Sequence, residues 1–296
     1  MQKKILIIGG NGIIGSKFVD YFKERNSLFH STFFQNSTID DQGIFLDIRD
    51  ENNVEKTITK IQPDIVIHTA ALAVVDKCET DRELAYSINV KGTENILKAC
   101  EKNSAKIVYI STTAVFDGSK NEYFEYDEPS PLNYYGETKA IAEKKIQQSK
   151  LDYLILRTDQ PYCWIEEWQR SNSVIRILND FSSNKIHNEV SDWYNKPTFA
   201  PNFVENTMKL IDLNSNGIFH IVGTDFINRF DWAMILCDVF QLDKNKITKI
   251  LSKDLNLPAK RGNVNVNNEK ITKETGIPMI GVKEGAELML KERHND

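Results

Sequence analysis

Little in this sequence invites a metal, a membrane or a disulfide framework. Only four cysteines occur among 296 residues, Cys78, Cys100, Cys163 and Cys237, and no Cys-x-x-Cys spacing joins any two. Scattered in this way they read as free, mostly buried thiols in a reducing compartment. The five histidines are equally dispersed, so no metal-ligand set can be drawn from them. No apolar run approaches the roughly 18 residues of a membrane span. The basic start "MQKK" precedes only Ile5 to Ile8 before Gly9-Gly10 interrupts, too short for a signal-peptide core, and the cytoplasm is the expected location. A formal charge of −5 provides no basic field for a polyanion, so nucleic acid is not an expected partner. Repeats and low-complexity linkers are missing too, and any second domain must be interleaved with the first.

What is present is an alternation of buried strands and amphipathic helices. Residues 3–9, 28–34, 43–48, 63–71, 105–111 and 151–158 read as strands, and residues 13–25, 51–60, 82–102 and 134–149 as helices. Buried strands alternating with helices imply right-handed crossovers and a parallel sheet covered on both faces. The fold class expected is α/β, a Rossmann-type doubly wound parallel sheet with a smaller, interleaved C-terminal region for substrate. Residues 1–158 would form the first part, with 198–222 returning to it; 159–197 and 223–296 would form the second. Beyond residue 158 the alternation fades. Residues 162–168 and 191–198 read as irregular, 217–223 as a late strand, and the chain from Asn228 as mostly short helices with a loop at 257–262.

The glycines at 9, 12 and 15 sit where the first strand meets the first helix. In that position the first permits a sharp turn, the second lets a pyrophosphate approach the backbone, and the third lets helix pack closely on strand. The amides and dipole of the helix N-terminus then favour phosphate charge. An ordinary tight strand-to-helix turn is the plainer reading, but the placement at the first such junction favours a dinucleotide. The end of the second strand, "STFFQN", carries no acid for the ribose hydroxyls of NAD, and Asp40 and Asp41 in the following loop fit poorly. NADP(H) is therefore favoured, NAD(H) stays open, and no obvious arginine stands ready for a 2′-phosphate.

In "NYYGETK", Tyr135 and Lys139 lie four apart on a predicted helix and share one face. A phenol there would act as acid or base, its pKa drawn down by the ammonium. The strand before it ends in hydroxyls, "ISTTAVFDG", with Thr112 placed to hydrogen-bond the same substrate oxygen. The bland alternative, an exposed helix face, does not account for the combination.

Together with "GGNGIIGS", "LDIRD", "PDIVIHTAALAVVDKCE", "NVKGTENI", "LRT", "KPTFAPNFV" and "LPAKRG", these motifs make nearly the whole chain resemble an extended short-chain dehydrogenase/reductase. Within that superfamily it is most similar to the dTDP-4-dehydrorhamnose reductase branch of nucleotide-sugar reductases. The resemblance implies a catalytic Thr112, Tyr135 and Lys139, with Tyr135 protonating the oxygen as hydride reaches C4 of a keto sugar. Lys139 would hold the nicotinamide ribose as well. The cofactor would meet Gly9, Asn11, Gly12, Ile13, Ile14 and Gly15, then Asp47 and Ile48 on the adenine side, Ala70 and Ala71 after the fourth strand, and Asn89. A nucleotide-sugar substrate is implied, and a homodimer is compatible with the resemblance.

Two departures bear on the substrate. Thr113 stands where the rhamnose-forming enzymes carry an aspartate, and Asp159-Gln160 stands where they carry Ser-Trp. Thr113 and Gln160 are therefore candidate substrate contacts. Trp193 is a candidate for stacking, against the commoner role of packing, as are Trp164, Trp168 and Tyr194. A 4,6-dehydratase would need a carboxylate pair after the catalytic threonine, where Thr113 and Ala114 stand. An epimerase is disfavoured by the missing acid, and a regulatory subunit like that of methionine adenosyltransferase competes from outside enzymology.

Overall fold

In the computed structural model, residues 3–35 and 43–293 are described. Asp40 and Asp41 lie outside them. Strands β1 (Ile5–Ile8), β2 (Phe29–Phe33), β3 (Ile44–Phe45), β4 (Ile65–His68), β5 (Lys106–Thr112) and β6 (Tyr153–Thr158) join a late strand, β11 (Gly217–His220), in one sheet. Its order is β11-β6-β5-β4-β1-β2-β3 and every pairing in it is parallel. β1, β4 and β5 are buried along their whole length, which is why they read as unbroken apolar runs rather than as alternation.

The two faces carry separate cores. Ile5, Ile7, Ile65, Ile67 and Val108 pack against Phe18 and Phe22 of α1 (Ile13–Glu24) and Phe203 of α8 (Ala200–Asp212). The intervening residues Leu6, Ile8, Val66, Ile107 and Tyr109 pack against α2 (Glu51–Ile61), α5 (Thr93–Asn103) and α6 (Tyr134–Gln148). A third core joins Tyr162, Phe199, Trp232 and Met289. It is built by α7 (Ser173–Ser182), α9 (Arg229–Val239) and α11 (Val282–Arg293).

Several elements differ from expectation for local reasons. The third strand stops at Phe45 because Asp47 folds back on the Arg49 amide (3.0 Å) and Asp50 caps α2 through the Asn53 amide (3.0 Å). The helix expected over 82–102 is α4 (Arg82–Tyr86), a π-helical stretch Ser87–Gly92, and α5, preceded by a short α3 (Val75–Thr80). Residues expected to be irregular form short strands. β7 (Pro161–Tyr162) pairs with β10 (Thr198–Phe199), and β9 (Tyr194–Asn195) pairs with β12 (Ile227–Asn228). β8 (His187–Val190) pairs with β13 (Ile247–Ile250). The C-terminal helices are not all short: α9 has 11 residues and α11 has 12, although α10 (Glu269–Thr275) has only seven. Packing in the third core stabilises these pieces, and two-residue strands carry no periodicity of their own to read. All four cysteines are free and buried, as expected.

Two buried histidines give the fold a pH dependence. Burial holds both His68 and His220 down to about 3, with the charges of Lys139 and Arg157 adding to the effect respectively. An unfolded histidine titrates near 6.5, so between these values the unfolded chain binds more protons. The stabilisation is present above that pH and is lost as pH falls towards 3. Thermal midpoints should drop from pH 7 to pH 4.5, and His220→Gln should flatten the decline. A variant with the parental slope would show that His220 is not the titrating group.

Candidate active site

Crossovers leave β1 towards β2 on one side, while β4 lies against β1 on the other, with Ile8 paired to both Thr32 and His68. Such a divergence opens a crevice at the carboxyl ends of the strands. The glycine loop lies in it, and its three glycines have different reasons to be there. Gly9 has φ +89°, and a Cβ on it would stand 2.9 Å from the Ala70 nitrogen. A Cβ on Gly15 would stand 2.1 Å from the Gly9 oxygen. Both positions are dictated by packing. Gly12 has an ordinary φ of −78°, and a Cβ there would meet only the Gly9 oxygen at 3.4 Å. The protein itself does not need that glycine, and the open space above it suits a ligand. Gly12 also caps α1 without a side chain, and no acid occupies the first turn, so the amides of Ile13 and Ile14 face no competing carboxylate. A pyrophosphate fits this cradle.

Around the loop the chain is braced from afar. Thr69 donates to backbone oxygens of Ile8 and Gly9 (2.9 Å each), and Ala70 and Ala71 follow it along the wall of the crevice. Asn89, in the π-helical stretch, accepts from the Leu72 amide (2.8 Å) and donates to the Thr138 hydroxyl (3.0 Å). Its amide thus ties the Ala70–Ala71 loop to α6. Gln169 donates to the Asn11 oxygen (2.9 Å) and the Ser16 hydroxyl (3.2 Å), and Arg170 donates to the Ala73 oxygen (2.8 Å). These two residues tie their loop to the glycine loop and to the loop after β4, across 158 positions for the Gln169–Asn11 pair, and no local pattern announces them. Past β3, Ile48 is buried, and Asp47 holds Arg49 by two oxygens (2.9 and 2.6 Å), which keeps the Asp47 carboxyl below the usual range. The Arg49 guanidinium lies 5.3 Å from the ring centre of Phe34, just past β2. The sequence shows no obvious arginine after the second strand; the structure brings Arg49, which follows β3, beside Phe34.

The candidate catalytic residues converge because α6 can reach the turn after β5. Asn133 caps α6 by accepting from the Gly136 amide (2.9 Å). A Cβ on Gly136 would stand 2.0 Å from the Ala114 oxygen, so glycine is needed for this contact. This contact sets Tyr135, second residue of α6, beside the end of β5, where the Thr112 hydroxyl accepts from the Ala114 amide (3.1 Å). Burial pushes the phenol up to about 12, with the nearby Thr112 hydroxyl opposing. Lys139 is fully buried and donates to the Ile110 oxygen (2.6 Å), with its Nζ 4.0 Å from the centre of the Tyr109 ring; burial lowers it to about 7. The expected lowering of Tyr135 by the ammonium is therefore not found. The lysine is turned to the strand backbone, and desolvation of the phenol dominates. Thr113 is packed inside the same turn, its oxygen accepting from the Phe116 amide (3.0 Å).

β6 ends beside β5, with Thr158 paired to Thr112, so Asp159 and Gln160 leave the sheet next to Thr112. The Asp159 carboxyl is buried and accepts from the Lys196 amide (2.8 Å) and the Asn195 side chain (3.4 Å); burial raises it nonetheless. Gln160 follows at φ +40°, a left-handed conformation costly for a branched residue. Trp193 lies between two guanidiniums, Arg229 at 4.9 Å and Arg261 at 5.5 Å from its ring, and Arg261 pairs with Asp76 (2.8 Å). Among the described residues no group of three or more His, Cys, Asp or Glu side chains could hold a metal ion, and no helix is long and apolar enough to cross a membrane.

A doubly wound sheet, a glycine cradle at its switch point and a Tyr-x-x-x-Lys helix beside a strand-end threonine define an extended short-chain dehydrogenase/reductase. The chain belongs to the RmlD substrate-binding-domain family, whose pattern matches residues 3–295. It is 30% identical to the dTDP-4-dehydrorhamnose reductase of Salmonella typhimurium over 83% of this chain and 85% of that one. It is 28% identical to the bovine methionine adenosyltransferase 2 subunit beta over 84% of this chain and 75% of that one. The crystal structure of a Bacillus anthracis dTDP-4-dehydrorhamnose reductase in complex with NADP superposes with a TM-score of 0.88 at 26% identity, covering 99% of this chain and all of that one. A UDP-glucose 4-epimerase from Thermus thermophilus, at 19% identity, shares the fold.

The left-handed turn at residue 160 makes a stability prediction. Gln160→Gly should leave stability within about 0.5 kcal/mol of the parent, because relief of strain offsets the added chain entropy. Gln160→Val should cost about 1–2 kcal/mol, since β-branching disfavours positive φ. Equal denaturation midpoints for the two variants would show that residue 160 is not held in the left-handed conformation.

Proposed function

We propose that the protein reduces the keto group of a nucleotide-linked 4-keto-6-deoxy sugar, using NADPH in preference to NADH. The observation that carries this reading is the close packing of α6 on the turn after β5, which sets Tyr135 and Lys139 beside the strand end that carries Thr112, together with a glycine cradle that fits a pyrophosphate. When bound, a reduced nicotinamide supplies the hydride. The amides of Ile13 and Ile14 would hold the phosphates, with Asp47 and Ile48 at the adenine side and Ala70 and Ala71 along the wall. Arg49 supplies a cation beside the end of β2, which supports the 2′-phosphate form. Thr112 would orient the carbonyl, and Tyr135 would deliver its proton to the oxygen as negative charge develops there. A phenol held protonated by burial suits the reductive direction, in which it must begin as an acid. Lys139 would exchange the Ile110 oxygen for the ribose. Gln160 and Trp193 are assigned to the sugar nucleotide, Gln160 replacing an aromatic wall by an amide.

The kinship with a methionine adenosyltransferase subunit supports a second reading, a dinucleotide-binding protein without turnover. Absorbance of reduced nicotinamide, followed with dTDP-, UDP- and GDP-linked 4-keto sugars, separates the two. Tyr135→Phe should lower turnover about 10²–10⁴-fold while NADPH affinity is retained. A parent active on a keto sugar together with an equally active Phe variant would remove Tyr135 as the acid.

Gly12→Val offers an independent check, because the backbone there accepts a side chain. The variant should melt like the parent and lose NADPH binding in titration calorimetry. Parental affinity would mean that the phosphates do not lie over Gly12.

A further inference from the structure

Beneath the candidate catalytic residues lies a buried ionic cluster that no substrate reaches. Glu143 stands one helical turn beyond Lys139 on α6, and both are buried. Arg157 of β6 binds the Glu143 carboxylate by two nitrogens (2.7 and 3.0 Å), and the Ser111 hydroxyl of β5 donates to the same carboxylate (2.5 Å). Ser111, Arg157 and His220 form one row across β5, β6 and β11, since Ser111 is in register with Arg157 and Arg157 with His220. The His220 ring closes the row: its Nδ1 donates to the Asn267 oxygen (3.0 Å), leaving Nε2 to accept from Arg157 (3.3 Å).

Two buried cations thus lie near one buried anion: Arg157 is paired with it, while Lys139, one helical turn away, rests on the Ile110 oxygen. The guanidinium does not give up its proton, so a shortage of negative charge falls on the lysine. Facing Lys139 are Tyr109 of β5, His68 of β4 and Cys78 of α3, with Tyr135 and Glu143 one turn to either side on α6. His68 is held neutral and the Cys78 thiol is pushed up to about 11, so neither supplies a charge near pH 7. Glu143 is the one carboxylate among these neighbours.

We propose that Glu143 is a positioning residue for Lys139. Clamped by Arg157 and Ser111, its carboxylate keeps the buried ammonium charged and so sets the pH range in which the site can bind a dinucleotide. This rests on the assignment of Lys139 to the catalytic site. The opposing view is that the Glu143–Arg157 pair only fastens α6 to the sheet.

The two views differ in the titration of Lys139, which can be followed without any ligand by ¹³Cε NMR of lysine-labelled protein, the Lys139→Met spectrum identifying the signal. Glu143→Gln should lower its midpoint by about one pH unit or more. Glu143→Asp keeps the charge and the Arg157 partner but withdraws the carboxylate by one methylene, so it should give a smaller shift in the same direction; it also serves if the Gln variant does not fold. An unmoved midpoint in the folded variant overturns the proposal. NADPH affinity measured against pH should weaken at lower pH in the variants than in the parent, by the same interval. A protein that binds no NADPH at any pH would sink the reductase reading while the NMR midpoints still decide the role of Glu143.

Discussion

Everything at this site depends on the side-by-side packing of β1 and β4 with their crossovers leaving in opposite directions. Both strands are wholly buried, so their backbone groups must be satisfied by the sheet and their ends must open at one edge. The divergence leaves a crevice that no local element fills, and the loops after Ile8 and His68 meet there. Gly9 and Gly15 let those loops and α1 close up; Gly12 alone of the three has no such packing reason. The order β11-β6-β5-β4-β1 then places the ends of β5 and β6 beside the crevice, which brings Thr112 and Gln160 to the same edge.

Buried charge is the second organising constraint. Lys139, Glu143 and Arg157 are each almost inaccessible, and removing such groups from water is costly unless they satisfy one another. Their arrangement uses the two periodicities of the fold at once. Lys139 and Glu143 share a face because they are one helical turn apart, and Ser111, Arg157 and His220 share a face because their strands are in register. Electrostatics here is therefore a property of the sheet–helix interface rather than of the residues taken singly. Tyr135 shows the same point from the other side. Its separation from Lys139 in sequence suits a lowered pKa, but burial outweighs that proximity, and the ammonium faces Ile110.

The region beyond residue 158 is where the substrate assignment is made and where the sequence speaks least. Asp159 draws its partners from residues 195 and 196, Arg229 and Arg261 approach Trp193 from two different segments, and Gln169 reaches the glycine loop. The family's reductases and the adenosyltransferase subunit differ in what they do on this shared framework, so the activity has to be sought in such contacts.

From the sequence alone came the α/β class, the position of the glycine loop, the helix that carries Tyr135 and Lys139 after the strand that ends in Thr112, and the free thiols. Each is written in residues close together in the chain: apolar runs, a three-residue glycine spacing, a four-residue helical spacing. The exact ends of β3, the π-helical stretch around Asn89 and the short strands near Trp193 were not legible, because they are set by caps and packing partners elsewhere. Arg49 was passed over for the same reason. It lies 15 positions after Phe34 in the chain, yet stands beside it once β2 and β3 pair. Likewise the spacing of Tyr135 and Lys139 determined that they share a helix face, while only the tertiary structure decided their protonation, because desolvation depends on everything packed around them.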